Sequence, residues 1–399
     1  MSSSSLSRLH TLFSKSPRNI SPISTIEKTP TTKLSNPSVT KNVPNTPIIS
    51  FPPEVKSLVK SFKKRSRYPE FRLRKDVYEA VVRRLAAGKH FSAIESVLEY
   101  QKKFKINMAD EWFGVKLIIL YGKAGMFDHA CKVFDELPQL GCTRTVLSFN
   151  ALLSACVKSK NLDKVNKIFH KLPGELGFEP DGFSYSTVIK AFCEFKDFDS
   201  AMKVLEEMEG SRIGPNIVGY NTILEAYYRE NNLVEAEKLW RRMEGKGVIA
   251  DVRSYNAKLR NLIRNDRVEE ALDLVEKMVI IQVKPDKFTY NAVIKGCVGK
   301  SKLEEVKMFH GKMVGDDCDP DYVTFEMLIS FACDQGDIDF AFEVCKQAIE
   351  LKVSVYKSSM QLVVDALLER SRIEEANELV ALINSSKRHP YTLTLPITR

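Results

Sequence analysis

The sequence predicts an all-α protein, a solenoid made of stacked helix-turn-helix hairpins. The first observation is an aromatic residue that recurs at intervals of 35 or 36 residues, at Phe149, Tyr185, Tyr220, Tyr255, Tyr290 and Phe325. The second is that the apolar residues of each interval follow helical spacing in two runs, separated by a polar break. A fixed period of 20–50 residues is typical of stacked supersecondary units rather than of one closed core.

The N-terminal segment differs from the rest of the chain. Residues 1–50 carry six basic residues against one acid and are rich in Ser, Thr and Pro. This composition is typical of an organellar transit peptide, and a plain disordered tail is the alternative. We therefore expect residues 1–50 to be a disordered transit segment, addressed to the mitochondrion with the plastid as the alternative. No uninterrupted apolar stretch of about 18 residues follows, so we expect no membrane association.

A strongly basic segment comes next. Residues 51–75 contain nine basic residues and two acids, interleaved with Phe62, Tyr68 and Phe71. Most such runs are solvated linkers, although basic residues mixed with aromatics also suit an RNA-docking arm. We predict a basic linker or arm over 51–75.

The charge of the remaining chain limits how it can hold a nucleic acid. The whole chain has a net charge of +9, but residues 76–399 hold 45 basic and 48 acidic residues, a net charge of −3. Bulk attraction to phosphate is therefore missing in this region, and locally placed cations would have to supply it.

The repeats follow in order from about residue 74 to residue 391, about nine in all, with a tail over 392–399. Well-defined units cover 146–181, 182–216, 217–251, 252–286, 287–321 and 322–356, and weaker ones cover about 74–110, 111–145 and 357–391. The twentieth residue of a unit is small or β-branched, which suits close approach of two helices. Proline near the unit's end stops the second helix. We expect the N-caps of the next helices at Ser148, Ser184, Ser254, Thr289 and Thr324.

Two long motifs connect these repeats to a known family. They are SYNAKLRNLIRNDRVEEALDLVEKM, followed by VKPD, and TYNAVIKGCVGKSKLEEVKMFHGKM, followed by CDPD. Both resemble pentatricopeptide repeats, and the resemblance is most specific over 146–321. Tetratricopeptide repeats, the nearest alternative, run at 34 residues with a different layout. The resemblance implies a right-handed α-solenoid that binds single-stranded RNA, similar to P-class plant organellar members, including small ones associated with the mitochondrial ribosome.

An asparagine directly follows four of the recurring aromatics, two residues after the expected cap, although asparagine is a mediocre helix former. Its carboxamide places a donor beside an acceptor, which matches the edge of uracil; an additional capping contact is the plain alternative. The resemblance implies that this residue and the last residue of the unit together read one base. The pairs are Asn150 with Asp181, Ser186 with Asn216, Asn221 with Asp251, Asn256 with Asp286, and Asn291 with Asp321.

By the same resemblance, Ser with Asn implies adenine and each Asn with Asp implies uracil, with cytosine tolerated. The implied RNA is U-A-U-U-U, read 5′ to 3′ from the N-terminal unit. Val115 with Thr145 and Glu326 with Tyr356 fit no familiar pairing, so we expect those units to bind nothing specific.

Two further sets of residues suggest an RNA groove. The second residue of each unit flanks the base in the family and could stack on it, with burial between repeats as the alternative; these residues are Leu147, Phe183, Val218, Arg253, Phe288 and Val323. Cations at the thirteenth and ninth residues could contact phosphate, although cations near a helix C-terminus also complement its dipole. They are Lys123, Lys158, Arg229 and Arg264, then Lys190, Arg260 and Lys295.

Catalytic and metal-binding signals are missing from the sequence. The eight cysteines form no C-x-x-C pair and lack histidines at zinc spacing, and they are expected as small buried residues. The six histidines form no H-E-x-x-H motif, and there is no phosphate loop or nucleophile elbow. We expect no enzyme activity, no cofactor, no metal and no small-molecule substrate.

Two functions remain open from the sequence. The first is single-stranded RNA binding in an organelle, in support of RNA processing, stability or translation. The second is a structural role in the plant mitochondrial ribosome, where the solenoid would brace rRNA or ribosomal proteins. The expected partner is RNA, either mRNA or rRNA, with mitochondrial ribosomal proteins added in the second case.

Overall fold

The structure is a computed structural model that describes residues 51–385 and 391–395. The predicted transit segment, 1–50, lies outside the described residues. The described part of the chain is helical, without β-strands. It divides into two compact units, one up to Ser184 and one from Tyr185 onward.

The helices of the first unit begin with short elements and continue as hairpins. Two 3₁₀ turns, Tyr100–Lys103 and Leu137–Leu140, extend helices at their C-terminal ends. The α-helices are α1 Pro53–Arg65, α2 Pro69–Leu73, α3 Lys75–Ala87, α4 Phe91–Glu99, α5 Lys105–Met108, α6 Glu111–Lys123, α7 Phe127–Glu136, α8 Val146–Lys158 and α9 Leu162–Leu176.

The second unit is a regular series of hairpins, and its first helix begins three residues before the boundary between the units. These helices are α10 Gly182–Glu194, α11 Phe198–Gly210, α12 Ile217–Arg229, α13 Leu233–Gly245, α14 Val252–Arg264, α15 Val268–Ile280, α16 Lys287–Gly299, α17 Leu303–Gly315, α18 Tyr322–Asp334, α19 Ile338–Glu350, α20 Lys357–Glu369 and α21 Ile373–Ser385.

Each hairpin contains a first helix, here called helix A, and a second, helix B. Helices A begin at residues 146, 182, 217, 252, 287, 322 and 357, where the sequence places the starts of the units. A single residue with left-handed backbone follows helix A and reverses the chain, as at Asn231 with φ 59° and Asp266 with φ 61°. Such a residue at the end of a helix redirects the backbone and satisfies its last carbonyls.

The core repeats with the sequence period. The recurring aromatics, the small residues at the twentieth position and Met208, Met243, Met278 and Met313 are all buried. In the second unit each helix A from α12 to α18 packs on the next helix A as well as on its own helix B. An apolar face that one hairpin leaves open is therefore covered by its neighbour, as expected for a stacked array.

Five of the eight cysteines are buried as expected, whereas Cys131, Cys318 and Cys333 are half-buried. All eight are free thiols, and Cys156, Cys193 and Cys297 are buried. Burial raises the pKa of Cys193 to about 12 and that of Cys297 to about 11. At neutral pH these thiols stay protonated, which makes them poor nucleophiles.

The structure differs from the expectation of a linker or arm over 51–75. Phe62 and Phe71 are buried, and the ring of Phe62 meets Tyr78 edge-on at 4.8 Å between centroids. Arg72 is also buried and donates to the Ser66 carbonyl at 2.8 Å. Helices α1 and α2 thus fold onto the first hairpin because their aromatics share one apolar cluster, and these two phenyl rings are not available to stack on RNA.

Candidate nucleic-acid interface

The N-caps of α14, α16 and α18 are the aspartates Asp251, Asp286 and Asp321, which corrects the caps expected at Ser254, Thr289 and Thr324. Ser148 and Ser184 are not caps either: Thr145 caps α8, and Ser184 lies inside α10. Asp251 and Asp286 precede α14 and α16, and their carboxylates accept from the backbone N–H of Ser254 at 3.0 Å and Thr289 at 2.9 Å. In return each hydroxyl accepts from the backbone N–H of its aspartate at 3.1 Å. The arrangement is a capping box in which the carboxylate lies at the cap and the hydroxyl three residues later.

The predicted asparagines lie in the second turn of helix A, the fifth residue of each helix, and reach across to the next cap. Four pairs are hydrogen-bonded from amide nitrogen to carboxylate oxygen. The distances are 3.0 Å for Asn150 to Asp181, 2.9 Å for Asn221 to Asp251, 3.0 Å for Asn256 to Asp286 and 3.4 Å for Asn291 to Asp321.

A hydroxyl holds the other end of each amide. Ser254 Oγ donates to Asn221 Oδ1 at 2.6 Å, and Thr289 Oγ1 donates to Asn256 Oδ1 at 2.7 Å. Ser184 with Asn150 and Thr324 with Asn291 repeat the contact at 2.5 and 2.7 Å. We call the set of asparagine, aspartate and hydroxyl residue the amide clamp.

The amide clamp fixes which way the carboxamide points. One amide N–H is used by the aspartate and one carbonyl lone pair by the hydroxyl, so one donor and one acceptor remain. Burial raises the pKa of Asp251, but hydrogen bonds from the Ser254 backbone and the Asn221 side chain outweigh it and leave that pKa below its ordinary value. The carboxylate therefore stays ionised at neutral pH and keeps its acceptor role.

Ser186 and Asn216 occupy the corresponding positions in the hairpin that begins at residue 182. Both are half-buried. Asn216 caps α12 by accepting from the Val218 backbone N–H at 2.7 Å. Outside the paired units, Val115 is buried and cannot reach a base.

The predicted stacking residues are exposed, with one exception. Phe183 and Phe288 are 59% and 63% exposed, and Val218, Arg253 and Val323 are exposed as well. Leu147 is half-buried. Burial between repeats therefore does not account for the apolar character of this position in four of the six units, and aromatic side chains on a monomer surface suit a binding face.

One groove of about 610 Å³ in the second unit collects residues of all three predicted classes. Its walls come from helices A and their N-caps. The lining includes Asn221, Asp251, Asn256 and Asp286 of the amide clamps, Val218, Arg253 and Phe288 of the stacking set, and the cations Lys190, Arg229 and Arg260. Asn256 is only 4% exposed, so it lies at the floor of the groove.

Each of the three predicted phosphate-contacting cations in the groove has a carboxylate neighbour. Lys190 lies 4.0 Å from Glu194, Arg229 lies 3.6 Å from Glu230, and Arg260 pairs with Glu225. These surface pairs are weak and can exchange for phosphate. The groove is therefore less positive than its cations alone would suggest.

The other predicted phosphate contacts lie elsewhere. Arg264 donates to the backbone carbonyl of Arg229 at 3.2 Å, so it serves the C-terminal end of α12, which fits the helix-dipole alternative. Lys295 is exposed on α16 outside the groove lining. In the first unit, Lys123 pairs with Glu79 at 2.8 Å, and Lys158 is exposed.

Sequence reasoning missed two features of the interface. The clamping hydroxyls had a signal, because Ser or Thr stands three residues after the aspartate in each clamp. Glu225 also had one, since it stands at the ninth position of its unit, where other units have Lys190, Arg260 or Lys295. The sequence pattern was interpreted as placing N-caps at the hydroxyl residues, and no role was predicted for Glu225.

Within 51–385 and 391–395, no group of three or more His, Cys, Asp or Glu residues is placed to hold a metal ion. Over the same residues, no helix has the length and apolar character needed to cross a membrane.

Comparison with known families identifies the repeats. The pentatricopeptide repeat domain profile matches residues 115–159, 132–175 and 167–230, and the PPR repeat family profile matches 215–262, 250–299 and 285–334. Together the matches span more than half of the chain. The chain belongs to the pentatricopeptide repeat family.

Similar proteins come from plants. The small ribosomal subunit protein mS79 (rPPR3b) of Arabidopsis thaliana is 49% identical over 154 residues, which are 39% of this chain and 39% of that protein. A mitochondrial pentatricopeptide repeat-containing protein of the same plant is 39% identical over 141 residues, 35% of this chain and 34% of that protein. The matched stretch thus spans less than two-fifths of the length of these relatives.

Among solved structures, the pentatricopeptide repeat protein PPR10 from maize aligns with a TM-score of 0.49 and 19% identity. The alignment covers 86% of this chain and 55% of that chain.

Proposed function

We propose that this protein binds single-stranded RNA along its helices A, one nucleobase per hairpin, with the preferred order U-A-U-U-U from 5′ to 3′. The observation that carries the proposal is the amide clamp, repeated in four units, with three exposed stacking side chains in the same groove as two of those clamps.

The chemistry of the clamp suits pyrimidines. The free N–H of the amide can donate to a uracil carbonyl while the free lone pair of Oδ1 accepts from N3–H. Cytosine also presents a donor beside an acceptor, so the same edge tolerates it. Where Ser186 and Asn216 replace the clamp, the family pattern implies adenine.

Stacking supplies the energy that is not specific to sequence. Exposed Phe288 and Val218 and the planar guanidinium of Arg253 flank the clamps in the groove. Stacking of a base on an aromatic side chain contributes about 1–3 kcal/mol and requires an unpaired base. Since the groove cations already have carboxylate neighbours, base contacts rather than phosphate contacts dominate the proposed binding.

The proposed role is binding without catalysis, in the mitochondrion, in support of RNA processing, stability or translation. The location is supported by the composition of residues 1–50 and by the mitochondrial relative.

Removing one amide clamp tests the proposal. The double variant Asn221→Ala with Asp251→Ala should lose the uracil preference at the third base and about 1–3 kcal/mol of binding free energy, since one bidentate base contact is lost. Fluorescence anisotropy with a labelled U-A-U-U-U oligonucleotide measures both quantities.

The matched control is Glu276→Ala, an exposed position on α15, a helix that contributes nothing to the groove. It should bind as the wild type does. If the double variant also keeps its affinity and its preference at the third base, the proposed reading is wrong.

A second candidate function is a structural role in the small subunit of the mitochondrial ribosome. The similarity to mS79 favours it, and so does the charge of −3 over residues 76–399, because a near-neutral array gains little from bulk attraction to RNA. In this case the groove would hold rRNA, braced by ribosomal proteins.

Sedimentation of mitochondrial lysate distinguishes the two. Co-migration with the small subunit that persists after mild RNase treatment and after magnesium chelation has separated the two subunits supports the ribosomal role. A free pool that cross-links to a site in mRNA supports the independent factor.

A further inference from the structure

The hairpin after the last amide clamp keeps the hydrogen-bonded contact from helix A to the start of the next helix A, but a glutamate makes this contact in place of an asparagine. Glu326 on α18 stands where the other units have asparagine. Its carboxylate accepts from the Tyr356 backbone N–H and from Ser359 Oγ, the latter at 2.5 Å. Glu326 thus serves the start of α20 directly, in place of the usual aspartate.

Two tyrosines occupy the positions that line the groove in earlier units. Tyr356 corresponds in the repeat to Asp251 and Asp286, and Tyr322 corresponds to Ile217, all three of which line the groove. Tyr322 is 46% and Tyr356 61% exposed. Their rings meet edge-to-face, with centroids 5.8 Å apart.

We propose that Tyr322 and Tyr356 form a subsite for a sixth nucleobase, directly 3′ of U-A-U-U-U, which binds by stacking and without preference for uracil. The inference rests on the proposed function, because it extends the same RNA by one nucleotide. It assigns a binding role to a unit whose residues at the two base-reading positions, Glu326 and Tyr356, match no combination familiar from the family.

The ring geometry leaves surface for a base. In an edge-to-face pair, one ring uses its edge and the other uses one face, so an outer face of each ring stays open. Both side chains are too exposed to be core residues of the hairpin. Stacking on such a face tolerates every base, since each base has a π-surface.

Glu326 explains why the sixth subsite does not select uracil. An ionised carboxylate accepts hydrogen bonds but donates none, so it offers no N–H to the uracil O4. The amide clamp of the preceding unit, Asn291 with Asp321, supplies that donor. The change from amide to carboxylate removes uracil selection while the aromatic pair keeps a contact to the base.

The test compares oligonucleotides of equal length, so that the number of phosphates is constant. Each carries U-A-U-U-U followed by adenine, cytosine, guanine, uracil or an abasic site, with abasic flanks on both sides. A base at the sixth position should raise affinity about tenfold over the abasic site, and the four bases should agree within about threefold, as expected for stacking.

Tyr356→Ala should remove this gain and leave the affinity for the abasic oligonucleotide unchanged. Tyr356→Phe should keep the gain, since the ring remains. Ile280→Ala, which removes a large exposed side chain from α15, is the control and should change neither value. Equal thermal melting of all variants checks that folding is intact.

The inference is overturned if the sixth base adds no affinity, if Tyr356→Ala keeps the gain, or if uracil is preferred more than tenfold at this position. These outcomes are distinct from failure of the proposed function, in which the abasic oligonucleotide with an intact U-A-U-U-U would itself not bind.

Discussion

The hydroxyl of the amide clamp does two jobs at the scale of the residue. Thr289 Oγ1 accepts from the Asp286 backbone N–H at 3.1 Å and donates to Asn256 Oδ1 at 2.7 Å. The same side chain thereby completes the cap of α16 and fixes the amide that we propose reads the fourth base. Structural capping and base reading are therefore not alternatives here, because one network provides both.

Thr289→Val should weaken both roles. Valine keeps the shape but leaves the buried Asn256 carbonyl and the Asp286 N–H without this partner, at a cost of about 1–3 kcal/mol in the free energy of unfolding. Without this hydroxyl the Asn256 carboxamide can also rotate, so the preference for uracil at the fourth base should decrease. Urea unfolding and anisotropy with all four bases at that position measure the two effects.

Thr222→Val is the control for loss of a hydroxyl in the groove. Thr222 Oγ1 donates only to the Val218 carbonyl of its own helix, at 2.7 Å. It should leave base selection unchanged. Full uracil selection in Thr289→Val would mean that the hydroxyl does not orient the amide.

At the residue level, the sequence identified positions that recur in the repeat, and their base-reading role stays a prediction. Asn221 and Asp251 were paired by the family resemblance, which links these two places in the unit, and the structure puts them in hydrogen-bonding distance. The cap could not be assigned in the same way. Aspartate and serine are both favoured N-cap residues, and only the start of α14 at Val252 shows that Asp251 rather than Ser254 is the cap.

At the scale of the element, the spacing of the hairpins and their division into two helices followed from the period and the polar breaks, whereas the expected caps placed the starts of helices A three residues too late. The segment 51–75 did not, because its composition is that of a linker while its fold depends on contacts of Phe62 and Phe71 with Tyr78. Such contacts join three short helices and have no periodic signature. Composition alone therefore could not predict helices α1 and α2.

The groove cations are a second case in which element packing decides. Arg260 and Glu225 are 35 residues apart and meet because α12 and α14 lie side by side. Arg260 was predictable from its place in the unit. Its pairing with Glu225 was not, because it depends on how neighbouring hairpins pack. This neighbour reduces the contribution of Arg260 to phosphate binding.

At the scale of the whole molecule, selectivity for an RNA sequence must come from several base contacts that each discriminate weakly. Each good base contact discriminates by about 1–3 kcal/mol, and the array as a whole is nearly neutral. Five read bases are too few to specify one transcript, so a partner that supplies additional contacts fits both candidate functions. The account nevertheless requires that each hairpin reads its own base independently.

An exchange of reading pairs between neighbouring hairpins tests this claim most directly. One variant carries Ser186→Asn with Asn216→Asp, and the reciprocal variant carries Asn221→Ser with Asp251→Asn. The new caps remain good helix N-caps, so folding should be preserved. Binding is measured against oligonucleotides with each of the four bases at the second and third positions.

The account predicts that the first variant, which has Gly219 where the clamps have a hydroxyl, shifts its preference at the second base from adenine towards uracil. The reciprocal variant should change its preference at the third base from uracil to adenine. At all other positions of the RNA, the base preference of both variants should be that of the wild type. Unchanged preferences in two folded, RNA-binding variants would contradict the account.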